Sequence, residues 1–337
     1  MNLLRKILLP IVPVYYMVTW LRNKLYDLDI KKSMTYEVPV IAVGNLSVGG
    51  TGKSPMVEYL IRLLRDKVHL ATLSRGYKRE TNGFQLVTIN SLVKDVGDEP
   101  LQFKTKFCDI VVGVDGDRRN GIANLMNLRP KPSLILLDDA YQHRKVKASF
   151  YILLTPYDDL YCDDILLPTG NLREPRKGAD RANIVVVTKC PGDITQEDRV
   201  RVAQKLRIKS NQILFFSTIN YGNEIFNTSA NRSLDSLKDV FFVLVTGIAN
   251  PKPLIDYYTS IGLDFKHVRY PDHHNFTTKE LSDINKHDLI ITTEKDYVRL
   301  SPNLSSDKLW YQPIEVKFIE GKADFDARIL ENLKKAK

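Results

Sequence analysis

The sequence predicts an α/β protein built on a doubly wound, mostly parallel sheet, followed by a second, smaller α/β unit. Apolar, β-branched runs alternate with helical patterns over the first two hundred residues, a glycine-rich turn joins one such run to one such helix, and the alternation restarts near Asp239. The chain's 337 residues are enough for one large or two ordinary domains. With 43% hydrophobic and 26% charged residues, a disordered chain is excluded.

Residues 1–28 form a segment of their own. Arg5 and Lys6 precede an apolar and aromatic stretch that Pro10 and Pro13 interrupt, and Arg22 and Lys24 follow it. The uncharged run is about 15 residues, short of the roughly 20 that cross a bilayer, and no small-residue cleavage site follows. An amphipathic segment lying on a membrane surface fits, with Tyr15, Tyr16 and Trp20 at headgroup depth and the bases on anionic lipid. The alternative is a helix packed on the protein's own core.

The run VPVIAVGNL (38–46) reads as a strand buried on both faces, and SPMVEYLIRLLRDK after it has helical apolar spacing with Pro55 in the first turn. Between them lies VGGTGKS (48–54). Glycines there let successive N–H groups turn onto phosphate oxygens, and the helix N-terminus adds positive partial charge. Val48, Gly49, Gly50, Thr51, Gly52, Lys53 and Ser54 are therefore candidate nucleotide-binding residues, with Lys53 on the terminal phosphates and Ser54 on Mg²⁺. The fold expectation becomes P-loop NTPase-like. Ser47 departs from the strict G-x-x-x-x-G-K-[ST] pattern, so either Gly49 and Gly50 supply the bend or Ser47 acts as a turn residue.

A second strand, LILL (134–137), ends in Asp138 and Asp139, at the carboxyl edge where open α/β sheets bind ligands. These acids either hold the metal or cap a helix; Mg²⁺ needs one carboxylate and Ser54 directly, and either aspartate can supply it. Asp98-Glu99-Pro100 is a helix start or a source of the carboxylate that deprotonates an acceptor hydroxyl.

RANIVVVTKCP (181–191) closes the nucleotide domain, 29–210. Its Thr188-Lys189 lacks the flanking residues of a guanine-reading loop. Runs 211–222 and 308–318 look extended and able to pair as a two-stranded linker. From Asp239 the order strand, helix, strand, helix, strand marks a small domain, 239–302, with Thr277 and Glu280 spaced as a capping box. The net charge of 49 − 40 = +9 favours anionic partners, but the bases form no stripe with interleaved aromatics and match no nucleic-acid module. Three scattered cysteines suggest a reducing compartment. No obligate protein partner is evident.

The motifs GNLSVGGTGKSP, LSRGYK, VGDEP, LLDDAYQH, LLPTGNLREP, VTGIANP, YPDHHNF and TTEKD occur in the order seen in the tetraacyldisaccharide 4′-kinases of lipid A biosynthesis, which the chain resembles over roughly residues 1–300. That family carries Ser or Thr at the place of Ser47; Ala140, where Gly is common, and Ser54, where Thr is more frequent, are mild departures. The resemblance implies a two-domain ATP-dependent, Mg²⁺-dependent kinase. It would phosphorylate the 4′-hydroxyl of a lipid A disaccharide 1-phosphate at the cytoplasmic face of the bacterial inner membrane. Asp98 would be the base and His273 its partner, with His274 or Asp272 as alternatives; without the family, these histidines read as a surface turn. Arg173 would lie by the nucleotide, where the residues alone allow a solvated ion pair with Glu174. Arg75, Glu99, Arg118 and Gln142 would serve the substrate. The competing expectation is a membrane-associated nucleotide switch or ATPase with no lipid acceptor, which would hydrolyse ATP unaided.

Overall fold

The structure, a computed structural model, describes Arg5 and residues 7–334; Lys6, 1–4 and 335–337 lie outside the described residues. After α1 (Val12–Asp27), seven parallel strands form the body of a nine-stranded sheet: β1 (Val40–Asn45), β2 (Leu70–Ser74), β4 (Val111–Val114), β5 (Leu134–Asp138), β6 (Phe150–Pro156), β7 (Ile184–Thr188) and β8 (Ile213–Tyr221). Two antiparallel strands, β3 (Gln85–Leu86) and β15 (Ile314–Phe318), edge it in the order β15-β8-β7-β6-β1-β5-β2-β4-β3. Alternate strand residues face opposite layers. Ile41 and Val43 pack with α2 (Lys53–Leu64), α3 (Asp98–Lys106) and α9 (Lys322–Lys334), while Val40 and Ala42 join the core under α4 (Arg118–Met126). On that second face, α5 (Gln196–Leu206) covers Val185 and Val187. The doubly wound expectation holds, and β1 lies between β5 and β6, where the winding reverses.

The second sheet runs β10-β9-β14-β13-β11-β12, with β11 (Phe242–Thr246), β12 (Phe265–Arg269), β13 (Ile290–Thr293) and β14 (Leu309–Gln312) parallel. A hairpin of β9 (Glu224–Phe226) and β10 (Asn231–Ser233) extends it. Its helices are α6 (Lys252–Ser260), α7 (Thr278–Ile284) and α8 (Glu294–Leu300), and α7 has the Thr277–Glu280 capping box.

The strand pattern is wider than a 239–302 unit, because β9, β10 and β14 also belong to the small sheet. Strands of three or four residues leave too little alternation to be read from sequence. Likewise 308–318 is two strands: Pro313, with no N–H for a ladder, separates β14 in the small sheet from β15, which pairs with β8. The chain thus crosses between sheets twice, after Tyr221 and at Pro313. Gln312 Nε2 ties the crossings together by donating to the Gly222 carbonyl at 3.0 Å. Beyond the second crossing α9 returns to the large sheet, burying Phe325 and Ile329 and receiving the Tyr59 hydroxyl on Asp326 Oδ1 at 2.6 Å.

The buried side chains of α1 are polar, Thr19 and Asn23. Val14, Met17, Val18 and Leu21 are instead exposed, Met17 by 60%. No helix among the described residues is long and apolar enough to cross a membrane.

Candidate active site

The loop after β1 is shaped by two residues with positive φ, Gly49 at 114° and Gly52 at 86°, and Gly52 is the N-cap of α2. Ser47 lies in an isolated bridge with Leu172 and is not among the positive-φ residues, so its backbone has no need of glycine. Val48 N donates to Asn171 O at 2.8 Å, which fastens the loop to the 171–174 segment. From the other side Thr188 Oγ1 donates to Thr51 O at 2.9 Å and Lys189 Nζ to Gly50 O at 2.5 Å. Thr188-Lys189 therefore clamps the phosphate loop.

Lys53, the first residue of α2, lies 3.4 Å from Asn45 Oδ1 and 3.6 Å from Asp139 Oδ1. Arg173 Nη1 reaches both Asp139 oxygens at 3.0 Å. Burial alone would raise the Asp139 pKa, but Lys53 and Arg173 more than offset this and lower it. Asp138 is the opposite case. It is buried, it receives Ser74 Oγ on Oδ2 at 3.2 Å, and among the described residues its Oδ1 has no hydrogen-bond partner. Burial, then the Glu99 and Asp139 carboxylates, push its pKa up to about 7.

Ser54 Oγ donates to Glu99 Oε1 at 2.9 Å. An orphaned buried carboxylate oxygen, a second carboxylate and a hydroxyl thus share one corner carrying surplus negative charge. Hard oxygen donors of this kind suit Mg²⁺. No cluster of three or more His, Cys, Asp or Glu ligands exists among the described residues, which leaves phosphate oxygens and water to complete a shell. Ser54, Asp138 and Glu99 fit that ion; Asp139 is engaged by its two cations.

Asp98 opens α3, with no side-chain cap at its N-terminus. Its carboxylate points across the cleft into the small unit, where His273 Nδ1 lies 3.0 Å from Oδ2, Arg299 Nη2 contacts the same oxygen and Lys295 Nζ is 3.9 Å away. Burial raises the Asp98 pKa, but the His273 hydrogen bond with Lys295 and Arg299 reverses this and holds it well below the usual carboxylate range. His273 follows β12, with φ of 58° and its N–H on Gly247 O at 3.1 Å. His274 turns away to Glu280 at 3.0 Å, and Asp272 lies 3.8 Å from the far nitrogen of His273. The carboxyl edges of the two parallel sheets therefore meet at the Asp98–His273 contact.

The substrate expectations separate. Arg75, at the carboxyl end of β2, is exposed, with no hydrogen bond or ion pair among the described residues. Tyr77 beside it packs edge-on against the His273 ring at 5.2 Å. Arg118 is corrected: it is 2% exposed and donates to the carbonyls of Asp115 at 2.7 Å and Asp138 at 3.2 Å, so it holds the β5 end from within. Gln142 donates to Asn45 O at 2.7 Å and to Glu174 Oε1 at 3.1 Å. Glu174 is no surface partner of Arg173. It is fully buried, accepting from Asn23 at 2.7 Å and Arg181 at 2.8 Å.

Sequence reasoning missed Lys295 and Arg299. Thr293 to Asp296 has the spacing of a helix cap, and Thr293 Oγ1 accepts from Asp296 N at 3.2 Å, so α8 was within reach. That α8 faces Asp98 is a tertiary fact with no local signal. A sequence model described as Tetraacyldisaccharide-1-P 4′-kinase matches residues 4–334.

The chain belongs to this kinase family.

The tetraacyldisaccharide 4′-kinase of Flavobacterium johnsoniae is 52% identical over 337 residues, covering 99% of this chain and 98% of that protein. That of Flavobacterium psychrophilum is 48% identical over 335 residues, covering 98% and 97%. The crystal structure of LpxK from Aquifex aeolicus in complex with ATP superposes with a TM-score of 0.80 at 30% identity, over 98% of this chain and all of that one. The family resemblance of the ordered motifs thus extends nearly end to end, and the α/β fold is that of the family.

Proposed function

We propose that this member of the family moves the γ-phosphoryl group of ATP to the 4′-hydroxyl of a tetraacyldisaccharide 1-phosphate, with Asp98 as the base. The supporting observation is the Asp98–His273 contact, made across two units beside the loop that ends in Lys53 and Ser54. Asp98 accepts the hydroxyl proton as the new P–O bond forms and the bond to the ADP oxygen breaks. His273 orients the carboxylate and shares that proton's charge. The loop amides of 48–54 and Lys53 hold the terminal phosphates, and Arg173 keeps Asp139 turned toward Lys53. Mg²⁺ held by Ser54, Asp138 and Glu99 would neutralise phosphate charge. Arg75, exposed and without a hydrogen bond or ion pair among the described residues, would meet the substrate's own phosphate.

We place the protein on the cytoplasmic face of the inner membrane through α1. A helix that buries Thr19 and Asn23 and turns Met17, Val18 and Leu21 outward has an apolar face suited to a lipid interface. The acyl chains of the substrate would lie in the same interface. The test is ATP-dependent phosphorylation of purified disaccharide 1-phosphate in mixed micelles, with Lys53→Ala and Asp98→Ala alongside. Transfer surviving in both variants would refute the site assignment. ATP hydrolysis that ignores the disaccharide would favour the acceptor-free switch.

A further inference from the structure

We infer that Lys295 is a positioning residue of the transfer reaction, setting the tautomer of His273 so that the imidazole can serve Asp98. The argument starts from the two ring nitrogens. Lys295 Nζ lies 3.1 Å from His273 Nε2. An ammonium group has only protons to offer, so Nε2 must be the ring nitrogen that carries a lone pair. In a neutral imidazole the proton is then on Nδ1, which faces Asp98 Oδ2 at 3.0 Å.

One neighbour opposes this. Arg299 Nη2, which also only donates, is 3.0 Å from the same Nδ1. The Asp98 carboxylate decides between them: it only accepts, it faces Nδ1, and Arg299 has that same Asp98 oxygen as its own acceptor. A proton on Nδ1 therefore leaves one donor–donor contact, whereas a proton on Nε2 would face the Lys295 ammonium and leave Nδ1 opposed to the carboxylate. For the opposite tautomer, the candidate acceptor at Nε2 is Asp272 Oδ2, and at 3.8 Å it is beyond hydrogen-bond reach. The Tyr77 ring covers the imidazole edge-on. Reversed, the tautomer would turn the Nδ1 lone pair toward the carboxylate, with no proton to bind it.

Lys295 also lies 3.7 Å from Glu99 Oε1 and 3.9 Å from Asp98 Oδ2. It therefore spans the carboxylate that meets Ser54 and the carboxylate that takes the proton, and it is supplied by the small unit. Its side chain is only 23% exposed, and its three partners all belong to the cleft. A purely surface lysine would have no such set.

The inference deepens the kinase reading and rests on it for its kinetic arm alone. The direct measurement is ¹⁵N NMR of the histidine ring nitrogens in the full, nucleotide-free chain, with His273 assigned by loss of its signal in His273→Gln. The wild type is expected to show a protonated Nδ1 and an unprotonated Nε2. In Lys295→Met the Nε2 lone pair loses its donor and the shifts move toward the mixed-tautomer pattern of a free imidazole. The kcat for transfer falls by roughly 10²-fold with KM for ATP little changed, and Lys295→Arg restores both signals in part.

A wild-type ring protonated on Nε2 overturns the inference, as does a Lys295→Met protein with unaltered shifts and kcat. If the wild type failed to phosphorylate the disaccharide, the substrate reading would fall while the nitrogen shifts still decided the role of Lys295.

Discussion

Asp98 and Ser47 show how differently single residues can be read. Asp98 reads from its neighbours as a helix cap or as the carboxylate that deprotonates an acceptor hydroxyl, and the structure removes the first choice because its side chain caps nothing and faces His273. Asp98→Asn keeps the shape and removes the proton acceptor, so phosphoryl transfer should fall by about 10² to 10⁴ while ATP affinity, measured by titration, stays near wild type. A comparable loss of ATP binding would show that Asp98 supports the loop instead. Ser47 broke a familiar pattern, yet its bridge with Leu172 explains why a side chain is tolerated. Ser47→Gly should leave nucleotide binding intact and reduce stability by about 0.5–1 kcal/mol, read from chemical denaturation, because glycine adds freedom to the unfolded chain.

Among the elements, β1 and α1 make opposite uses of apolar residues. All six residues of β1 are buried, and Gly44 is where the turn after β5 packs closest: a Cβ there would fall 2.6 Å from Tyr141 Cβ. Gly44→Ala should therefore cost about 1–3 kcal/mol in unfolding free energy, and a neutral result would mean the 140–142 turn yields easily. In α1 Val14, Met17, Val18 and Leu21 face out, while Val12 and Tyr15 pack against the core. Replacing Met17, Val18 and Leu21 together by Glu should sharply reduce co-sedimentation with vesicles containing anionic lipid, with an unchanged thermal midpoint, since these side chains lie outside the core clusters. Retained sedimentation would assign the outward face another role. The apolar content of α1 was plain in its residues; which face turned inward was not, because docking through Asn23 depends on Glu174 about 150 positions away.

At the scale of the whole molecule, a buried charge cluster joins the two units. Glu58 on α2 and Glu294 on α8 share Lys106, which is 2.6 Å from Glu58 and also contacts Glu294. Burial, reinforced by Glu58, pushes the Glu294 pKa up to about 7 from an ordinary 4.5. A raised folded-state pKa means the folded protein binds the proton more tightly than the unfolded chain. The stabilisation is full below about 4.5 and is lost as pH rises through about 7. Between pH 6 and pH 8 the thermal midpoint should thus decline, and Glu294→Gln should flatten that slope. An equal slope in both proteins would place the titrating group elsewhere.

The large sheet, its phosphate loop and the acids at the β5 end could be read locally because strand burial, glycine spacing and helix starts are short-range consequences of side-chain type. The same is true of the capping box at α7. What tertiary structure decided is the pairing of distant polar groups, of which the family resemblance implied Asp98 with His273 alone: Asp98 with Arg299, Glu99 with Ser54 and Lys295, Asp139 with Arg173. Those contacts form only when the carboxyl edges of two sheets are brought face to face. Neither hydrophobic period nor turn chemistry encodes the distance between residues that far apart along the chain.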